Sequence, residues 1–80
     1  MTEEEKQRNV AIGSLLRTKR KEFGYSVENV VAYCNKVGWK NLNAHKLNRI
    51  ERGEIEPEIT GLKTLMSIYG ISNKEIVGIC

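Results

Sequence analysis

Apolar residues recur along this chain at intervals of three, four and seven, which is the periodicity of one face of an α-helix. In the first part of the chain the pattern passes through Ile12, Leu15, Leu16 and Phe23. No stretch alternates apolar and polar residues for long enough to predict a strand. The chain is therefore predicted to be all-α.

Capping residues and glycines divide the pattern into five short helices. Thr2 and Glu5 have the spacing of a capping box, so the first helix is expected to begin near Thr2 and to end at Gly24. Ser26 is a good N-cap for a second helix, which stops before Gly38. The remaining three helices are predicted over residues 43–52, over residues 59–69 and after residue 72.

Length and composition narrow the classes of function. With 80 residues, the chain suffices for one domain, residues 1–80, and is too short for a large catalytic cleft. Hydrophobic residues make up 40% and charged residues 29%, which is typical of a globular chain and not of a disordered one. The sequence contains no recognisable catalytic set or phosphate-binding loop. We therefore expect no enzyme and no cofactor, and no small-molecule ligand is evident.

The two cysteines, Cys34 and Cys80, are interpreted as free thiols, with Cys34 a small buried apolar residue. A zinc site needs more ligands at tighter spacing than Cys34, His45 and Cys80 offer, so no metal is expected. The acidic N-terminus has no apolar segment behind it, and no apolar run approaches a membrane span. We therefore expect a cytoplasmic protein with no secretory signal, and leave open a further C-terminal domain.

The net charge is only +3, but it is unevenly distributed. Acids gather in residues 3–5 and 54–58, whereas residues 36–52 contain Glu51 as their only acid. The bases in that segment are Lys36, Lys40, Lys46, Arg49 and Arg52. A local positive field of this kind suits a polyanion such as nucleic acid, although a solvated surface without a partner is the commoner explanation of a charge cluster.

The predicted third helix has two unlike faces. Asn43 is a good N-cap, Gly53 a C-terminal stop, and Pro57 blocks any continuation. At 100° per residue, Leu47 and Ile50 fall together on an apolar side. The opposite side combines a small residue with side chains rich in hydrogen-bond donors: Ala44, His45, Asn48, Arg49 and Arg52.

This polar face suits the major groove of duplex DNA, although an ordinary surface helix explains the pattern almost as well. Ala44 lets the helix approach closely, Arg49 can donate two hydrogen bonds to guanine, and Asn48 can pair with adenine. His45 can donate to a guanine or to a phosphate. The residues suited to phosphate contacts, which position a protein without reading sequence, are Lys36, Lys40, Lys46 and Arg52.

A longer set of residues, in order, resembles a known family. The chain contains Leu47-Asn48-Arg49-Ile50-Glu51-Arg52-Gly53, then Pro57, then Tyr69-Gly70-Ile71-Ser72. With Ile12, Leu16, Arg20 and Phe23-Gly24-Tyr25-Ser26 before them, these residues resemble the Cro and phage-repressor type of helix-turn-helix domain, the XRE family, over about residues 10–77. The resemblance implies a five-helix, lambda-repressor-like domain that binds double-stranded DNA, commonly as a repressor and as a symmetric dimer on a palindromic operator.

The resemblance also implies roles for particular residues. Bases are contacted from the first two positions after the N-cap and from one turn later, which here are Ala44, His45 and Arg49. Arg20 and Glu51 would form a structural ion pair. The family often dimerises near its C-terminal end, where the apolar residues are Ile71, Ile76, Val77 and Ile79. The alternative is that these residues complete the core.

The chain departs from the family's pattern in three places. The stretch from Ser26 to Asn43 is about six residues longer than the common pattern, a spacing similar to that of POU-specific domains, which also bind DNA. The loop of residues 37–42 holds Trp39, which we expect to cover an edge of the core, with contact to DNA backbone or a protein partner as alternatives.

Val27 replaces a glutamine that often contacts phosphate, and Ala44 removes a common base-reading side chain. A second hypothesis is therefore a protein-interaction module that has lost specific DNA binding.

Overall fold

Five α-helices make up the described part of the chain. The computed structural model describes the backbone of residues 2–79 and the side chains of residues 2–76. The helices are α1 (Glu3–Glu22), α2 (Val27–Lys36), α3 (Ala44–Glu51), α4 (Ile59–Tyr69) and α5 (Asn73–Ile79), with no strand in this range. The predicted all-α, five-helix architecture is confirmed. None of these described helices is both long enough and apolar enough to cross a membrane.

Side-chain hydrogen bonds cap the N-termini of α2 and α3. Ser26 and Asn29 form a reciprocal capping box: Ser26 Oγ accepts from the Asn29 N–H at 3.1 Å, and Asn29 Oδ1 accepts from the Ser26 N–H at 3.3 Å. Asn43 Oδ1 accepts from the Lys46 N–H at 2.8 Å. Each cap satisfies a donor that has no partner inside its own helix. Local chemistry therefore determines where both helices begin.

The core lies where the first four helices meet. Leu16, Leu47, Ile50 and Leu65 are almost completely buried there. The other buried apolar members of the cluster are Ile12, Val30, Cys34, Trp39, Leu42, Met66, Tyr69 and Ile71. Because α3 contributes Leu47 and Ile50 to this cluster, its apolar side is committed to the core, as predicted.

Phe23 departs from the prediction that it belongs to the apolar stripe of the first helix. The helix ends at Glu22, Phe23 is its C-cap, and 51% of Phe23 is exposed. Its ring stacks on Tyr25 with 5.7 Å between centroids and lies 6.3 Å from the ring of Tyr69. At this end of α1 the stripe meets only the edge of the core, so the ring pairs with other aromatic rings instead of entering it.

The connection between α2 and α3 is folded onto the domain. Asn35 Nδ2 donates to the carbonyl oxygens of Trp39 at 2.8 Å and of Leu42 at 3.1 Å. Trp39 is 9% exposed and packs so tightly on Gly61 of α4 that an added Cβ would lie 2.5 Å from the indole ring. The expectation that Trp39 covers an edge of the core is confirmed. The loop therefore fixes the approach to Asn43, where α3 begins.

Two glycines allow α1 to approach the end of α3 closely. A Cβ added at Gly13 would collide with the backbone oxygen of Ile50 and lie 2.6 Å from that of Glu51. Gly53 has φ +77°, and a Cβ there would lie 2.5 Å from Val10 Cα. Only glycine combines that dihedral with that contact at low cost. The position of α3 is therefore set by direct backbone contact with α1.

Tyr69 buries a hydroxyl group in the core, and we expect its removal to be tolerated. The Tyr69 Oη has no hydrogen-bond partner among the described residues. A buried polar atom without a partner costs about 1–3 kcal/mol. Tyr69→Phe should therefore leave the free energy of unfolding at pH 7 unchanged or raise it by about 1 kcal/mol, as measured by urea denaturation.

The same substitution should alter the response to alkaline pH. Burial, and next the negative charge of Glu51, raise the pKa of Tyr69 above its ordinary value. The unfolded chain loses this proton near pH 10, whereas the folded chain retains it. The part of the folding free energy that is linked to this proton is thus fully present below about pH 10 and is lost as the pH rises further. The advantage of Tyr69→Phe over wild type should widen between pH 9 and pH 11; an advantage that is constant with pH would contradict this assignment.

Candidate nucleic-acid interface

α3 turns one side to the core and the other to solvent. Its buried residues are Leu47, Ile50 and Glu51. The four predicted base-reading residues are all at least partly exposed: Ala44, His45, Asn48 and Arg49. Arg52, the C-cap, is exposed beside them. The exposed side therefore presents an imidazole, an amide and two guanidinium groups along about two turns of helix.

A bidentate ion pair between Arg20 of α1 and Glu51 holds α3 in place. Arg20 Nε donates to Glu51 Oε2 at 2.8 Å, and Nη2 donates to Oε1 at 3.1 Å. The remaining Nη1 donates to the carbonyl oxygen of Tyr25 at 3.0 Å. The bond to Glu51 raises the pKa of the Arg20 guanidinium. The pair implied by the family resemblance is thus present, and Arg20 joins α1 to the turn before α2 and to the end of α3.

The edge of α3 that faces α1 forms a cationic cleft. The residues that line it are Arg17, Arg20, Asn48, Glu51 and Arg52. Asn48 therefore shares this cleft with three arginines and lies on the α1 side of the helix, away from the centre of the outer face. Sequence patterns alone did not indicate Arg17. Its spacing of three residues from Arg20 places both on one face of α1 and is the signal that could have found it.

The C-terminal end of α3 is a Schellman motif. The Gly53 N–H donates to the Ile50 carbonyl oxygen at 3.0 Å, and the Glu54 N–H donates to the Arg49 carbonyl oxygen at 2.9 Å. Gly53 adopts the left-handed conformation that this motif requires. The motif therefore brings the backbone of Glu54 next to that of Arg49.

Glu54 pairs with both arginines of the outer face. Its Oε1 lies 3.5 Å from Arg49 Nε, and its Oε2 lies 2.6 Å from Arg52 Nε. The sequence alone indicates Glu54 only as one of the acids that follow the basic segment. Its position directly after the glycine that ends α3 is the signal for this contact. The two guanidinium groups are therefore partly neutralised within the protein.

The predicted phosphate-binding lysines differ in their surroundings. Lys46 Nζ lies 3.8 Å from Glu58 Oε1 and 5.8 Å from the centre of the Trp39 ring, so it already has an acidic and an aromatic partner. Lys36 at the end of α2 and Lys40 within the loop are exposed, and neither has an ion pair with another described residue. The structure thus brings Lys46 to the flank of α3 and leaves Lys36 and Lys40 open to solvent.

The C-terminal apolar residues are partly used within the protomer. Ile71 is buried, and Ile76 packs against the core cluster. The side chains of Val77 and Ile79, which belong to the predicted dimer surface, lie outside the described residues.

Cys34 is buried, and burial raises the pKa of its thiol, which disfavours the reactive thiolate. Among the described residues, no group of three His, Cys, Asp or Glu side chains is placed to hold a metal ion.

Comparison with known proteins finds no match to a family model, a curated protein or a solved structure. The described residues define an all-α domain of five helices in which a part-buried ion pair anchors a helix with one cationic face.

Proposed function

We propose that this protein binds double-stranded DNA in a sequence-specific manner and acts in the cytoplasm as a transcriptional regulator, of the repressor type common in the XRE family. The outer face of α3 carries this proposal. It presents His45, Arg49 and Arg52 to solvent on a helix whose other side is locked into the core. A rigidly held helix with exposed donors at one-turn spacing is what major-groove recognition requires.

In this proposal α3 lies in the major groove and two residues contact bases from its outer face. His45 and Arg49 are one turn apart and donate to base edges, with Arg49 directed to a guanine. Ala44 faces the groove near the N-terminus of α3, where its small side chain allows close approach. Asn48 serves an adenine or, from its position in the cleft, a phosphate beside Arg17.

Phosphate contacts flank this face on two sides. Arg17 and Arg52 supply guanidinium groups at the α1 edge. Lys36 and Lys40 supply ammonium groups from the end of α2 and the loop that follows it. Lys46 contacts a phosphate only when its ion pair with Glu58 breaks. Contacts of this kind set the position of the protein on the duplex and make its affinity depend on salt.

Replacement of Arg49 tests the assignment of the base-reading face. Arg49→Ala should weaken binding to the preferred duplex by about 1–3 kcal/mol, because a bidentate contact to guanine contributes that much to discrimination. Lys74→Ala is the matched control. It also removes one positive charge, but from an exposed residue of α5, a helix that packs on α1. Affinities are measured by fluorescence anisotropy at fixed salt, and equal losses in the two variants would show that Arg49 acts only through its charge.

A protein-interaction module is the second candidate, and one feature favours it. Tyr25 and Tyr33 are 39% and 48% exposed and line a groove between α2 and α4 with Ile68. Exposed aromatic side chains are enriched at protein interfaces. A chain that prefers no duplex sequence, and whose binding to a protein is abolished by Tyr33→Ala, would support this candidate over DNA recognition.

A homodimer on a palindromic operator is part of the first proposal. The contact is proposed for the apolar C-terminal end of the chain, where Ile71 is buried and Ile76 packs against the core cluster of the protomer. A stoichiometry of two chains per preferred duplex is the expected result, measured by sedimentation of the complex.

A further inference from the structure

One acidic residue lies within the proposed DNA-binding face itself. The carboxylate of Glu54 contacts Nε of both Arg49 and Arg52, one oxygen to each. All three side chains are between 42% and 55% exposed, so the contacts are made at the surface where a DNA backbone would approach. The Schellman hydrogen bond from the Glu54 N–H to Arg49 fixes the backbone of Glu54, so the carboxylate starts from a defined position beside both arginines.

We infer that Glu54 is a specificity-determining residue: its carboxylate forms ion pairs with Arg49 and Arg52 and thereby disfavours non-specific phosphate contact more than base recognition. The inference rests on the proposed function. A phosphate carries a negative charge whatever the DNA sequence, so the Glu54 carboxylate competes with it for both guanidinium groups and also repels it. The edge of a guanine carries no net charge, so the carboxylate does not repel it in this way, and it can accept from the two Nη atoms of Arg49 while Nε stays beside Glu54.

The nearby acids show why the effect belongs to Glu54. Glu58 pairs with Lys46 at the other flank of α3. Glu56 is exposed and has no ion pair within the described part of the chain. Glu54 alone among these three acids contacts both arginines of the outer face. A general acidic field would act through all three residues, whereas the competition inferred here acts through one.

The test compares Glu54→Gln with Glu56→Gln, which removes the same charge two residues away. Binding of each variant to the preferred duplex and to a scrambled duplex is measured across a salt series. Glu54→Gln should tighten binding to the scrambled duplex by about twofold to tenfold, since two exposed ion pairs no longer compete. The slope of its log affinity against log salt concentration should become more negative by about 0.9 for each additional phosphate that the protein neutralises. Tightening on the preferred duplex should be smaller, so the preference ratio falls.

The outcomes separate this inference from the proposed function. Equal changes in Glu54→Gln and Glu56→Gln, with unchanged unfolding midpoints in both, would overturn the role of Glu54 and leave DNA recognition standing. If the wild type prefers no duplex, the proposed function fails. The difference in salt slope between the two variants then still decides whether Glu54 competes with phosphate for the two arginines. Absence of binding to any duplex at low salt would overturn both.

Discussion

Glu51→Ala is expected to lower the free energy of unfolding by about 2–3 kcal/mol, at or just below the range for removing one partner of a fully buried ion pair, because this pair is part-buried. The Glu51 carboxylate is 4% exposed and the Arg20 side chain 12% exposed, so the guanidinium left behind is poorly hydrated. A domain of this size is stable by about 5–10 kcal/mol, which makes the loss a large fraction of the total. Urea denaturation measures it.

Two controls separate the loss of the Arg20–Glu51 pair from the loss of any charged residue. Lys19 and Glu22 form an ion pair at 3.6 Å on the surface of α1, and Glu22→Ala should cost less than about 1 kcal/mol. Replacing Arg20 and Glu51 together by apolar residues should recover part of the loss, because no uncompensated charge remains. If Glu51→Ala cost no more than Glu22→Ala, the pair would not be the anchor of α3.

Gly13→Ala is expected to destabilise the domain by about 2–3 kcal/mol, the cost of forcing an extra carbon into a packed contact. The atoms in the way are backbone atoms of α3 at Ile50 and Glu51, which cannot rotate aside as a side chain would. In an exposed helix the same substitution would stabilise by about 1 kcal/mol. The sign of the effect therefore depends on the closeness of α1 and α3.

The neighbouring residue provides the matched control for Gly13. Ser14 is exposed on the same turn of α1, so Ser14→Ala should be neutral or stabilising by about 0.5 kcal/mol. Gly13→Ala should also weaken duplex binding, since α3 has to shift relative to α1. A Gly13→Ala variant as stable as wild type would mean that the two helices do not meet as described.

The helices were predictable because their signals are local. Ser26 and Asn43 are N-caps whose hydrogen bonds reach only three residues along the chain, and Gly70 ends α4 in the left-handed conformation. The periodicity of Leu47 and Ile50 likewise reports a face within one helix. The bounds of all five helices accordingly agree with the prediction to within a residue or two.

The chemistry of the candidate site was only partly predictable. Helical periodicity placed the donors of α3 on one side, but gave no information on what the neighbouring elements contribute. The partnership of Glu54 with Arg49 depends on a turn after the helix, and the cleft containing Arg17 depends on how α1 crosses α3. The Arg20–Glu51 pair spans 31 positions and was expected only through the family resemblance. Spacing shows which residues share a face, as for Arg17 and Arg20, but unlike a cap it does not identify the partner on another element.

The central claim is that α3 recognises a DNA sequence, and selection of bound duplexes from a random library tests it most directly. The expected result is a consensus with a guanine in each half-site, half-sites about one helical turn apart, and loss of that guanine preference in Arg49→Ala. Enrichment of no sequence, with only weak binding that falls steeply as salt rises, would contradict the claim and show that the cationic face of α3 attracts polyanions without reading them.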